Sequence, residues 1–303
     1  MGGTPLLVLG PVLYGWPLRR LRDFYFKIAD EAAVDVVLLG EVICTKRTSC
    51  STATWLEIRE RLERGGKTVA MSTLALPTER RELESLRALC REWPGLIEAN
   101  DYATLHLLAG RPHLVGAFIN VYHEATLAVL LEEGAVRVCL PPELSLDSVR
   151  LLARSAPGRV EVQVFGRLPL ALSARCHHAR SLGRTRARCR FACRDDPDGL
   201  ALFTLDGRPF LTINGIQTLS ASYLEASFQV TELLASGVGA LRILPQDVDM
   251  VAVVAAYRAL LDGRIGPEEV RAILTRLCPG RTLTGGYLAG RPDPAPAPAA
   301  AKG

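Results

Sequence analysis

The sequence predicts an α/β protein of the (β/α)8-barrel type, and three observations carry that expectation. The chain has 303 residues, enough for one large barrel or two average domains. Eight short runs rich in β-branched residues or leucine stand at 5–10, 35–40, 68–72, 96–99, 114–118, 136–140, 160–165 and 240–244. Amphipathic stretches separate them, and strands that alternate with helices build a parallel sheet. Eight such units in roughly 265 residues fit a closed barrel better than an open doubly wound sheet. The open sheet is the alternative, because strand order is not written in a sequence.

The helices between the runs have local signatures. In 78–93, Leu83, Leu86, Ala88 and Leu89 fall near one face at helical spacing. The stretch 123–134 ends on Gly134, a C′ residue. Ser145 is the N-cap of a helix that stops at Pro157-Gly158. After the seventh strand the rhythm breaks. An Arg/Cys-rich segment (175–194) is followed by a hairpin over 201–213, turning on Asp206-Gly207, and by a helix over about 219–235. The expected organisation is one barrel domain over 1–290, with an insertion at 166–215, and a disordered Pro/Ala-rich tail at 291–303.

Composition excludes several classes. Hydrophobic residues make up 49% and charged residues 22%, an ordinary globular balance. No apolar run approaches the roughly 20 residues of a membrane span. The N-terminus lacks the order of a signal peptide, and Leu6 breaks the myristoylation pattern after Gly2. The eight cysteines therefore read as reduced thiols of a cytoplasmic protein. The net charge of +4 is small, yet lysine occurs only at 27, 46, 67 and 302, so the positive charge is nearly all arginine. Arginine presents planar forks suited to carboxylates and phosphates.

Cys176, Cys189 and Cys193 lie in one insertion at C-x12-C-x3-C spacing. Their surroundings are polar and basic, so they are expected not to be buried as small hydrophobes but to ligate a metal or cluster. A fourth ligand comes from topology. Cys44 ends the second strand run, and the loop of Cys176 leaves the seventh; in a barrel both open on one face. Cys50, His177 and His178 are the reserve ligands. Cys90, Cys139 and Cys278 read as core residues. Zinc and an iron–sulfur cluster both suit four thiolates. The spacing favours a cluster, since structural zinc usually uses two short C-x2–4-C hooks.

Ordinary hydrolase machinery is not visible: there is no H-E-x-x-H, G-x-S-x-G or Walker loop. Of the five histidines, His106 lies in a helical run. Polar residues at strand ends are better candidates, because they line the mouth of a barrel. They are Glu41, Ser72, Glu98, Asn100, Asp101, Asn120, Arg167, Gln246 and Asp247. A cap or loop role is the plain alternative for each. Arg175, Arg180, Arg184, Arg186, Arg188, Arg190 and Arg194 could offset thiolate charge or attract an anion, or else form a solvated or protein-binding loop.

The segment 160–176, VEVQVFGRLPLALSARC, resembles the signature of the peptidase U-32 (collagenase-like) family. Glu161, Gly166, Leu168, Ser173, Arg175 and Cys176 stand where that signature expects them. Gln163, Phe165, Arg167, Leu172 and Pro169 depart from it, and Pro169 replaces the first cysteine. Cys44 supplies the missing thiol. GPVLYGWP, GEVICTKR, STLAL, EANDYATLHLLAGRP and NGIQTLS look like the UbiV branch, and the resemblance spans about residues 6–262. It implies a [4Fe-4S] cluster on Cys44, Cys176, Cys189 and Cys193. It implies a heterodimer with a homologous, UbiU-like U-32 subunit and a lipid-carrier accessory protein. Together these would hydroxylate a ubiquinone precursor without O2, with prephenate or a similar donor. Glu41, Asn100, Asn120 and Arg167 are the substrate-binding candidates, and no catalytic residue is assigned. Arg167 or the arginine-rich loop would hold the donor's carboxylates; the plain alternative for Arg167 is an ion pair with Glu41. A working peptidase is not expected. The same resemblance allows an RNA-base hydroxylase or a non-catalytic, cluster-bearing subunit, but the weak overall charge counts against a large RNA footprint, so no nucleic acid is expected.

Overall fold

All eight apolar runs are strands, and they close on one another. The computed structural model describes residues 4–47 and 50–290; the Pro/Ala-rich tail lies outside them. The barrel strands are β1 (Leu6–Leu9), β2 (Val36–Leu39), β3 (Thr68–Ser72), β4 (Leu96–Ala99), β5 (His113–Val115), β6 (Ala135–Cys139), β7 (Val160–Gly166) and β13 (Ala240–Ile243). Each pairs in parallel with its neighbour, and β13 pairs with both β1 and β7, which shuts the ring. Strands such as β2, Val-Val-Leu-Leu, are buried at every position, as a strand must be when helices cover one face and the barrel interior the other.

The outer layer is α1 (Leu18–Glu31), α2 (Thr52–Arg64), α3 (Arg80–Glu92), α4 (Tyr102–Leu108), α5 (Glu124–Glu132) and α6 (Leu146–Ser155), closed by α8 (Val230–Ala235), α9 (Met250–Leu261) and α10 (Pro267–Leu277). Local chemistry sets their ends. The Ser145 hydroxyl accepts from Ser148 N (3.3 Å) at the start of α6. Glu79 and Glu82 form a capping box at α3. Gly134 follows α5 at φ +105°, where an added Cβ would meet the Arg111 carbonyl oxygen at 2.7 Å.

The insertion after β7 forms a second sheet. It holds β8 (Pro169–Leu172), β9 (Leu200–Phe203), β10 (Pro209–Asn214) and β11 (Gln217–Ser220), antiparallel in the order β8-β11-β10-β9, with the short α7 (His177–Ser181) beside it. The β9–β10 hairpin turns at Asp206-Gly207, with Gly207 at φ +80°. The helix expected over 219–235 is corrected. Its first half is β11 and then β12 (Tyr223–Glu225), which returns antiparallel to β7 and carries β14 (Leu283–Thr284); α8 starts only at Val230. A hairpin with β10 and pairing with the distant β8 and β7 override the local helical pattern there.

Inside the barrel the packing is ionic as well as apolar. Arg242 of β13 pairs with Glu161 of β7 and reaches across to Glu98 of β4. Arg137 bonds Glu161 (2.6 Å), and the Ser72 hydroxyl and the Asn100 amide bond Glu98 (2.6 and 3.3 Å). Glu98 is thus a strand residue that faces inward, not a loop residue at the mouth. A small apolar cluster of Leu13, Val42, Ile43, Cys44, Cys176, Ala179, Ile216 and Leu244 caps the barrel mouth. Among the described residues, no helix is long and apolar enough to cross a membrane.

Candidate metal centre at the barrel mouth

The loop after β2 begins at Gly40, with φ +113° and its Cα so close to Ser72 that a Cβ would stand 2.3 Å from the Ser72 carbonyl oxygen. Only glycine turns the chain there. Glu41 then folds the loop back: its Oε1 accepts from Ile43 N (2.8 Å), Cys44 N (3.0 Å) and Arg47 Nε (3.0 Å). Arg47 is buried, and its fork reaches Asn214 Oδ1 (2.8 Å) and the Leu13 carbonyl (2.7 Å). Asn214, at the end of β10, also accepts from Gly15 N (3.2 Å) and donates to the carbonyls of Cys193 (3.1 Å) and Asp196 (2.9 Å). Arg194 donates to the Arg47 carbonyl (2.8 Å). The loops after β1 and β2 and the insertion are therefore knitted together through Arg47 and Asn214.

This web brings Cys44, Cys176, Cys189 and Cys193 into the wall of one cavity of about 20 Å³, with Arg47, Arg186 and Phe191 beside them. Cys176 caps α7: its Sγ accepts from Ala179 N (3.4 Å) and donates to the Gly215 carbonyl (3.3 Å). Gly15 lies so close to Cys193 that a Cβ would stand 2.9 Å from its Sγ. The expectation that these thiols escape burial is corrected. Cys44, Cys176 and Cys193 are 9%, 8% and 8% exposed, and Cys189 is half-buried. Arg175, Arg180, Arg188 and Arg190 are exposed, whereas Arg184, Arg186 and Arg194 are partly buried and Arg186 lines the thiol cavity. Burial pushes the Cys176 thiol up, and it pushes Cys193 up to about 11 despite the nearby Arg47 charge.

By donor chemistry and shared cavity the four thiols fit a thiolate-held group. They stand as a gathered set rather than a finished coordination shell: among the described residues, no three His, Cys, Asp or Glu side chains are already disposed around a metal position. Residues 166–194 hold eight arginines and no Asp or Glu, and although Arg167 and Arg186 are paired with Asp198 and Glu82, the remaining guanidinium charge on the insertion can offset thiolate charge. Arg190 and Phe191 both take left-handed conformations (φ +51° and +56°), a strain that non-glycine residues hold only where the surroundings impose it.

The reserve ligands lie elsewhere. Cys50 lines a different cavity, His177 is exposed, and buried His178 bonds Asp196 (2.9 Å). Cys90, Cys139 and Cys278 are buried away from the four.

Arg167 is buried and occupied by the protein. It bonds Asp198 (3.0 Å) and the carbonyls of Ser220 (2.8 Å) and Ala221, and lies over the Tyr223 ring. Its partner is Asp198, not Glu41, whose arginine is Arg47. Asn100 is buried, donating to the Thr73 carbonyl (3.1 Å). Asn120 is exposed at φ +61° beside a separate cavity of about 150 Å³. Asp101 caps α4 by accepting from Thr104 N (3.0 Å). Gln246 accepts from the Tyr14 hydroxyl (2.7 Å), and Asp247 pairs with Arg20 on the surface. His106 is exposed on α4. Arg47 and Asn214, which organise the site, were not singled out by the sequence reading, although both sit in its motifs GEVICTKR and NGIQTLS.

A closed (β/α)8 barrel with a thiol- and arginine-rich insertion over its mouth defines the class of protein. The chain belongs to peptidase family U32, whose family model matches residues 24–296. Among solved structures it is similar to phospho-2-dehydro-3-deoxyheptonate aldolase from Thermotoga maritima, at 12% identity and a TM-score of 0.42 over 94% of this chain and 72% of that one. It is also similar to the spore cortex-lytic enzyme SleL of Bacillus cereus, at 10% identity and a TM-score of 0.39 over 94% and 76%. Family membership rests on the family model and not on these distant likenesses.

Proposed function

We propose that this chain is the iron–sulfur subunit of an O2-independent hydroxylation system of ubiquinone biosynthesis, the UbiV branch of family U32. It would work as a heterodimer with a homologous, UbiU-like subunit, with a lipid-carrier accessory protein, and with an organic oxygen donor such as prephenate. The observation that carries the reading is the gathering of Cys44, Cys176, Cys189 and Cys193 in one cavity at the barrel mouth.

Those four cysteines would hold a [4Fe-4S] cluster, which supplies one-electron redox chemistry when bound. The protein's own residues do the rest. Glu41 fixes the backbone of Ile43 and Cys44, and Arg47 ties that loop to the insertion. Arg47 and Arg186 line the cavity and offset thiolate charge. Val42, Ile43 and Ile216 pack behind the thiols and exclude water. With Arg167 taken by Asp198, the carboxylates of a donor are better served by the exposed Arg175, Arg180, Arg188 and Arg190.

Anaerobic reconstitution of the purified chain tests the reading. About four irons per chain are expected. Alanine at any of the four cysteines should lose most of that iron, whereas Cys90→Ala or Cys139→Ala should keep it. Stoichiometric zinc without iron would overturn the cofactor. Unchanged anaerobic ubiquinone in a strain lacking the gene would overturn the pathway.

A further inference from the structure

A slot separates two of the outer helices. α1 packs on α2 and α3 packs on α4, but α2 and α3 stand apart, with a cavity of about 520 Å³ between them. That volume lies within the range of small-molecule sites, about 300–1,000 Å³. We propose that this slot binds a neutral, largely apolar ring compound, with one end directed at the cysteine loop.

The walls set the chemistry. Trp55 and Leu56 of α2, Leu86 and Leu89 of α3, Met71 of β3 and Trp93 line the slot. Two indoles and a thioether favour a flat, polarisable ligand over a purely aliphatic one. The lining holds three carboxylates, Glu41, Glu82 and Glu92, and no Lys or Arg, so a negative ligand is disfavoured.

The inner end reaches the barrel mouth. Glu41, Ser72 and Thr73 lie at the ends of β2 and β3, and Thr45 follows Cys44 directly. Buried Glu82 links slot and insertion. Its carboxylate accepts from Thr45 Oγ1 (2.8 Å) and Thr78 N (2.7 Å) and faces Arg186 (3.6 Å), which lines the cysteine cavity. Burial alone would raise this carboxyl, but the hydrogen bonds and Arg186 hold it below the usual range, charged and anchored. In a ring hydroxylase this slot would seat the ring substrate, an assignment that rests on the function proposed above; the binding itself does not.

Titration with 2-geranylphenol, followed by calorimetry and by tryptophan fluorescence, tests the site. Two of the chain's three tryptophans line the slot, so saturable quenching is expected. Ala88→Phe and Ser85→Phe add bulk to the α3 wall without deleting a core contact. Both should keep the wild-type melting temperature and weaken geranylphenol binding at least tenfold. The 4-hydroxybenzoate anion should bind far more weakly. No saturable binding of geranylphenol, or equal binding by both phenylalanine variants, would overturn the site. Cys189→Ala separates the two readings: it should strip iron and leave geranylphenol binding intact, whereas loss of both would mean that the slot is not an independent site.

Discussion

Replacing Arg47 by methionine isolates what one buried guanidinium does for the candidate centre. Arg47 is 2% exposed and contacts Glu41, Asn214 and Leu13 at 2.7–3.0 Å. Removing one partner of a buried charge pair costs about 3–5 kcal/mol when the other is stranded. Here none is fully stranded. Glu41 keeps the amides of Ile43 and Cys44, Asn214 Oδ1 keeps Gly15 N, and the Leu13 carbonyl keeps the Gln217 amide. The cost should therefore fall to about 2–4 kcal/mol, with methionine refilling much of the apolar volume. Iron should respond more steeply, because Arg47 joins the Cys44 loop to Asn214, which holds the Cys193 backbone. Urea unfolding of the iron-free chain gives the stability, and anaerobic reconstitution of the same preparation gives the iron. Iron below half the wild-type value is expected. Arg47→Lys, which keeps the charge but not the fork, should fall between. Full iron in Arg47→Met would refute the positioning role, whatever happened to stability. An unfolding midpoint equal to wild type would refute the energetic argument.

Arg242→Met should cost about 3–5 kcal/mol in urea unfolding, since it leaves Glu98 and Glu161 facing each other across the barrel with less positive charge, and adding Glu98→Gln should restore part of the loss. Burial would raise the Glu161 carboxyl, but Arg242 and Arg137 hold it below the carboxylate range, so its contribution is present above the unfolded pKa and lost as pH falls through the lower folded one. In Arg242→Met the Glu161 carboxyl loses the main charge that holds it down, so the deficit against wild type should be present at neutral pH and narrow as pH falls into the acid range; a constant deficit would contradict this. Arg167→Lys should destabilise by about 2 kcal/mol, more than an exposed ion pair, because lysine cannot serve Asp198 and two carbonyls together. Wild-type stability combined with lost anaerobic ubiquinone would instead assign Arg167 to a substrate. Cys50→Ala should retain its iron, and losing it would show that the ligand set is wrong.

The barrel was legible because strands buried on both faces leave short apolar runs at regular spacing, and because Asp206-Gly207 and Ser145 act on their immediate neighbours. The helix expected over 219–235 failed for the opposite reason. Gln217–Ser220 is a strand because it turns back on β10 across Gly215-Ile216 and pairs with the distant β8, and Tyr223–Glu225 is one because of β7, tens of residues away. The site divides in the same way. Cys44 could be placed with the insertion from topology alone, since strand ends share a face. The burial of the cysteines was not legible, because composition reports which residues are adjacent in the chain and not which way each points. The Arg167 partner, Asp198, lies across the insertion, where no periodicity reaches.

The arginine excess acquires a physical meaning from where those side chains end. Arg47, Arg167 and Arg242 are each nearly inaccessible and each serve two or more acceptors from different strands or loops. A planar fork can do this and an ammonium cannot without losing contacts. Arg175, Arg180, Arg188 and Arg190 are exposed on the insertion instead, where charge rather than geometry is the operative property. Lysine should therefore substitute far better in the second group than in the first. A chain with lysines at all four exposed positions should fold and reconstitute like wild type, while a single lysine at 47, 167 or 242 should not. That asymmetry follows from burial alone and separates the arginines that build the barrel mouth from those that set its field.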